Sequence, residues 1–157
     1  MFQVFILILA TQYLILNTMY QSVTEIRVRY GETDQMGFVY YGNYPLYYEE
    51  GRTDAIRKLG ISYKELEASG IMLPVAELNI RYKAAALYDE VLTVKTSIKQ
   101  MPNRKMIFHT DIFNANGEWL NTGETTLLFM RTDTRSICTA PKEITEALGK
   151  YFETKGQ

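Results

Sequence analysis

The stretch Tyr30-Gly31-Glu32-Thr33-Asp34-Gln35-Met36-Gly37-Phe38-Val39-Tyr40-Tyr41-Gly42-Asn43-Tyr44 sets the carboxylate of Asp34 in a glycine-bearing loop between a strand-like run and the start of a helix. A carboxylate placed there can serve as a base or a nucleophile. The N–H groups that open the following helix lack intrahelical acceptors and sit at the positive end of its dipole. Such a loop pairs a base or nucleophile with ready-made anion stabilisers. The loop also allows a plainer reading, in which Asp34 caps the helix or closes a turn, and on the loop alone that reading is the commoner one. Glu49 and Glu50 are rival carboxylates, but Glu49 stands three residues before Arg52, the spacing of an ordinary helix ion pair worth about 0.2–0.5 kcal/mol. His109 alternates with apolar neighbours and has no cysteine or carboxylate at ligand spacing, which points to a core or interface histidine. Cys138, the single cysteine, has no glycine-rich elbow around it and is not expected to act as a nucleophile.

The elements that must hold this loop are legible as changes of period. Thr24, Ile26, Val28 and Tyr30 alternate with Glu25, Arg27 and Arg29, as in a half-buried strand. Asn43 is an expected N-cap, and Pro45 suits a first helical turn. Tyr44, Tyr47, Tyr48, Gly51, Ala55 and Leu59 then recur at three- and four-residue spacing, one face of a helix ended by Gly60. Gly51 inside that helix costs roughly 1 kcal/mol of helix propensity, which makes sense where a sheet approaches the backbone closely. Ser62 and Glu65 carry capping-box spacing for a short second helix stopped by Gly70. Period two returns in Ala76–Lys83, Leu92–Lys99 and Met106–Phe113. Asn114-Ala115-Asn116-Gly117 then makes a hairpin loop into a long strand, Glu118–Met130, and Pro141 opens an amphipathic helix through Tyr151. One strand, one long helix and four further strands make an α+β arrangement with the helix against one sheet face, which several folds share.

At 157 residues the chain holds one domain. Seventeen basic against eighteen acidic residues give nothing that favours nucleic acid or an anionic membrane surface. The lone cysteine excludes an intramolecular disulfide and fits a reducing, cytoplasmic setting. Residues 1–18 form an apolar extension, and no charged side chain precedes Glu25. The run is shorter than the ~20 residues of a spanning helix and lacks a signal peptide's basic start and cleavage site, so membrane insertion is not expected. Met19 is the expected natural start, and the domain runs from 19 to 157; the other reading of the leader is an extra helix packed on the surface. There is no metal, nucleotide or flavin motif, and no cofactor is expected.

The loop and the helix behind it resemble the hotdog-fold acyl-CoA thioesterases, in the branch of the 4-hydroxybenzoyl-CoA thioesterase. The likeness rests on Asp34, Gly37, Val39-Tyr40 and the aromatic-rich helix with Tyr44, Tyr48, Glu49 and Arg52, and it spans roughly Val23 to Arg131. It implies a curved antiparallel sheet of about five strands wrapped around a long central helix. It also implies hydrolysis of acyl-CoA thioesters, with Asp34 as general base or nucleophile and the backbone N–H of Tyr41 polarising the carbonyl. Many relatives carry histidine where this chain has Tyr41; a backbone role survives that difference and an imidazole role does not. Tyr40 is expected to pack. Another branch uses a helix-borne carboxylate, here Glu49 or Glu50, and the fold's dehydratases need an active-site histidine that the lone His109 supplies poorly.

The resemblance further places Arg81, Lys83 and Arg104, with Lys105, near the phosphates of coenzyme A, although Ala84-Ala85-Ala86 replaces the prolines usual after the first stretch. Tyr44 and Tyr48 are expected walls for the acyl and pantetheine arms, with Tyr47 and Phe38 also available, and each of these aromatics is equally a core candidate. Chains of this fold pair as homodimers, sometimes doubled to homotetramers, with active sites at the interface. An acyl carrier protein as the thioester's carrier, and a scaffold that has lost catalysis, are the alternatives to an acyl-CoA substrate.

Overall fold

A computed structural model describes residues 19–152; the apolar extension at 1–18, and with it the reading of that leader, lies outside the described residues. Strand β1, Tyr20–Arg27, leads through the loop to helix α1, Tyr44–Lys58, and a short helix α2, Tyr63–Ala68. Then follow β2 (Ile71–Met72), β3 (Val75–Tyr82), β4 (Val91–Ile98), β5 (Lys105–Phe113), β6 (Trp119–Leu128), β7 (Met130–Arg131) and helix α3 (Lys142–Phe152). Five strands make one antiparallel sheet in the order β1-β4-β5-β6-β3, and β2 pairs with β7 apart from it. This is the expected α+β hotdog arrangement.

The helix stripe is the buried one: Tyr44, Tyr47, Tyr48, Gly51, Arg52, Ala55 and Ile56 face the sheet. Opposite them lie the inward positions of alternating strands, among them Leu92, Val94, Phe108, Ile112 and Leu127. Each such apolar side chain contributes about 1.5–3 kcal/mol of burial, which is what holds the helix down. A Cβ at Gly51 would come within 2.8 Å of Val94 Cγ1 and 2.7 Å of Thr96 Oγ1, so glycine is there because the sheet leaves no room for a side chain. The Ser62 and Glu65 box forms reciprocally and starts α2.

Several expectations need correction. The strand ahead of the loop begins earlier and ends at Arg27; Val28 is still buried, but Tyr30 falls in a 3-10 turn, Tyr30–Glu32, and is 79% exposed. Asn43 precedes α1 but makes no cap, because its backbone is already helical and its side chain donates instead to the Glu32 carbonyl at 2.8 Å. The long strand expected over Glu118–Met130 is divided: β6 ends at Leu128, and past Phe129 the chain pairs with β2 instead, Met130 with Met72 and Arg131 with Ile71. Strand β3 alternates in sequence but is exposed along nearly its whole length, since it forms the outer edge of the sheet.

Candidate active site

Asp34 stands at the turn of a small hairpin between β1 and α1, and Tyr41 follows directly on its returning arm. The Asp34 N–H donates to the Phe38 carbonyl at 2.8 Å and the Tyr40 N–H to the Glu32 carbonyl at 2.9 Å, with Thr33 and Val39 bridged between them. The reversal is a tight turn over Asp34–Gly37, closed by the Gly37 N–H on the Asp34 carbonyl at 3.0 Å, and Gly37 takes the positive φ of 81° that a side chain would resist. Asp34 Oδ1 also accepts the Met36 N–H at 2.9 Å, so the carboxylate does fill the turn-closing role weighed for it. That bond occupies one oxygen, and the residue is only half-buried. A carboxylate accepts several hydrogen bonds, so the turn and the chemistry do not compete.

The returning arm ends in a second 3-10 turn, Tyr41–Asn43, which runs straight into α1. Tyr41 is its first residue, where a backbone N–H has no intrahelical acceptor. The peptide carrying that N–H is fixed in orientation, because its carbonyl, that of Tyr40, accepts the Asn43 N–H at 2.9 Å. The Tyr41 carbonyl takes the Tyr82 hydroxyl at 3.0 Å, which ties the helix start to the edge strand.

The shelf around these groups is apolar and open. Met36, Phe38, Tyr41, Tyr82 and Leu87 are all exposed, and Tyr40, also exposed, leans on Tyr41 with ring centroids 4.7 Å apart. Clefts also form elsewhere among the described residues. One of about 330 Å³ lies on the outer sheet face among Glu77, Asn79, Arg81, His109 and Glu124; another, of about 510 Å³, lies between β1 and α1 beside Arg29, Tyr47 and Glu49.

Tyr44 and Tyr48 are core side chains, not open walls. They are 2% and 1% exposed; Tyr44 takes the Ala86 N–H on its hydroxyl, and Tyr48 donates to Asn121 Oδ1 at 2.8 Å. Desolvation holds the Tyr48 phenol well above its usual range, so it stays neutral. Arg81 and Lys83 alternate with Tyr82 and face the other side of the sheet, Arg81 in the outer cleft and Lys83 4.0 Å over the Trp119 ring. Within one chain they do not converge on Asp34. Arg104 and Lys105 are exposed at the start of β5. Glu49 is an exposed partner of nearly buried Arg52 at 3.5 Å, the helix pair its spacing predicts. His109 is no core residue: it sits half-buried on the outer face with Nδ1 3.1 Å from Glu124 of the neighbouring strand. Half-burial and Lys99 push its imidazole below the ordinary value, against the pull of Glu124 and Asp111.

Sequence reasoning passed over Glu32, Asn43 as a side chain, and Tyr82. Only Glu32 left a local signal, the Arg29 three residues earlier that now grips it. The others meet their partners across 11 and 41 residues of chain.

A five-stranded antiparallel sheet laid on one long helix is the hotdog arrangement of the thioesterases. The chain belongs to the thioesterase-like superfamily, whose model matches residues 28–148. It is 43% identical over 100 residues to a putative acyl-CoA thioesterase, YneP, of Bacillus subtilis, an alignment covering 64% of this chain and 72% of that one. Among solved structures it superposes on a DHNA-CoA thioesterase from Staphylococcus aureus with a TM-score of 0.79 at 39% identity, covering 83% of this chain and 89% of the other. A 4-hydroxybenzoyl-CoA thioesterase shares the fold at a TM-score of 0.74 and 20% identity, covering 82% of this chain and 98% of its own.

Proposed function

We propose that the protein hydrolyses acyl-CoA thioesters to the free acid and coenzyme A, using Asp34 and the Tyr41 N–H. The observation that carries this is the hairpin, which holds a carboxylate on one arm and a helix-opening N–H on the other with the connecting peptides hydrogen-bonded in place. In the general-base route Asp34 takes a proton from water as its oxygen adds to the thioester carbon. The carbonyl oxygen becomes an oxyanion facing the Tyr41 N–H; the C–S bond then breaks and the leaving thiolate recovers the proton from Asp34. In the nucleophilic route Asp34 adds directly, thiolate leaves, and water hydrolyses the resulting anhydride. Arg81, Lys83, Arg104 and Lys105 are the cations offered to the coenzyme's phosphates, and the exposed Phe38, Tyr41 and Tyr82 now supply the apolar walls.

The working unit is the single domain from residue 19, in the cytoplasm, assembled as a homodimer or a doubled homotetramer. What supports pairing is β3, an edge strand that among the described residues has no partner on its outer side and that exposes Val75, Leu78 and Tyr82. Arg81 and Lys83 stand on that same strand, so pairing along β3 sets them at the seam between two chains.

The test is thiol release from short, long and aromatic acyl groups, each supplied on coenzyme A and on acyl carrier protein. Turnover of the coenzyme A series is expected; preference for the carrier protein would favour an acyl-carrier thioesterase, and no turnover on either carrier would favour a scaffold. Among the described residues no helix is long and apolar enough to cross a membrane.

A further inference from the structure

The loop contains a second carboxylate, Glu32, that the chemistry above leaves unused. It is 7% exposed, and its polar atoms are engaged on every side. Oε2 accepts the Arg29 N–H at 2.8 Å and the Tyr47 hydroxyl at 2.7 Å, while Oε1 accepts Arg29 Nε at 2.8 Å. Burial alone would raise the Glu32 carboxyl, but those hydrogen bonds and the guanidinium outweigh it and hold the group below the usual carboxylate range. A carboxylate so occupied has no lone pair directed at a substrate and is a poor base.

Its backbone carbonyl is equally committed. It accepts the Tyr40 N–H and Asn43 Nδ2, the first from the residue preceding Tyr41 and the second from the residue whose own N–H orients the Tyr40–Tyr41 peptide. A trans peptide is planar with N–H and C=O opposed, so fixing that carbonyl also aims the Tyr41 N–H. Two residues on from Glu32, the same arm carries Asp34. Glu32 is therefore where the base-bearing arm and the oxyanion-bearing arm are fastened together, and Tyr47 fastens both to α1 one turn below the helix start.

The geometry points to Glu32 and Tyr47 as a positioning clamp that sets the Asp34 carboxylate against the Tyr41 N–H, with Asn43 as its third point. This rests on the proposed roles of Asp34 and Tyr41. Misplacing reacting groups by about 1 Å can cost on the order of 10²-fold in rate. The cations offered to the coenzyme's phosphates stand outside the hairpin and are left alone. A clamp of this kind acts on kcat and spares KM.

Tyr47→Phe removes the hydroxyl and keeps the ring in the core; Asn43→Ala tests the same clamp from a half-exposed position where folding is not at stake. Each is compared with wild type and with Asp34→Asn for kcat and KM on the best acyl-CoA substrate, well below the thermal midpoint. Each variant should lose roughly 10- to 100-fold in kcat with KM within about twofold. Added to Asp34→Asn, Tyr47→Phe should bring less than its full factor, because one of the two groups it positions is already disabled. Wild-type kcat in both Tyr47→Phe and Asn43→Ala beside an inactive Asp34→Asn would overturn the clamp alone. Full multiplicative loss in the double variant would reduce Tyr47 to a structural residue and overturn it too. Wild-type turnover by Asp34→Asn would overturn the catalytic reading and the clamp together.

Discussion

Alanine at Gly51 sets two effects of opposite sign against each other. In an exposed helix the change from glycine stabilises by about 1 kcal/mol, because glycine loses more backbone freedom on folding. Here the added Cβ would lie 2.7 Å from Thr96 Oγ1 and 2.8 Å from Val94 Cγ1, closer than carbon atoms settle. Both neighbours are β-branched, stiff at χ1 and essentially inaccessible, so neither can swing aside. Either α1 lifts from the sheet by several tenths of an ångström or β4 yields, and overpacking of this kind costs about 1–3 kcal/mol. The clash outweighs the propensity gain, and Gly51→Ala should be destabilised by about 1 kcal/mol net, at most about 2. For a chain of this size that lowers the melting midpoint by about 2–8 °C. Urea denaturation and thermal melts at matched protein concentration measure it, since assembly makes the midpoint concentration-dependent. A gain of about 1 kcal/mol, the free-helix value, would refute the close approach and with it the packing that seats the helix start under the hairpin.

Three further outcomes follow from the geometry. Tyr41→Pro should keep the fold and lose roughly 10²–10³-fold in kcat, because Tyr40 already has the extended backbone (φ −57°, ψ 129°) that proline demands of its predecessor and the N–H is deleted together with the ring; Tyr41→Ala, which drops the ring and keeps the N–H, should lose far less, and equal activity in both would discard the oxyanion role. Leu78→Arg on the exposed β3 edge should shift sedimentation equilibrium toward monomer and reduce turnover with it, whereas an unchanged mass would place any interface elsewhere. His109 titrates below its unfolded value, so the folded chain favours the neutral imidazole: its contribution to stability is present above about pH 6.5 and is lost as pH falls through the folded value. His109→Gln should flatten that slope, and an unaltered stability profile between pH 5 and 7 would count against the depressed value.

Periodic burial was what the sequence announced most clearly. Helix α1, its glycine, the capping box of α2 and all five sheet strands follow from spacing, because each needs only local alternation and one neighbouring layer. Strand β3 shows the limit: its alternation is real, yet burial depends on what lies beyond the sheet edge, and no local pattern encodes that. The same limit decided the aromatics. Tyr44 and Tyr48 share a helix with exposed residues and are buried only because β4, β5 and β6 close over them, while Tyr82, unremarked on a strand, reaches the helix start. Asp34 was legible as a candidate because its loop resembles a known motif. Glu32 was not, since a carboxylate between glycine and threonine reads as a solvated loop charge until Tyr47, fifteen residues away, is seen beneath it.

The most direct measurement is thiol release by Asp34→Asn, with Glu49→Gln in parallel as the helix-borne rival, on whichever acyl-CoA the wild type turns over best. Loss of a positioned base or nucleophile should lower kcat by roughly 10²–10⁴-fold in Asp34→Asn while Glu49→Gln stays near wild type. Wild-type turnover by a folded Asp34→Asn, or collapse of activity in Glu49→Gln instead, would contradict the assignment of the chemistry to the hairpin.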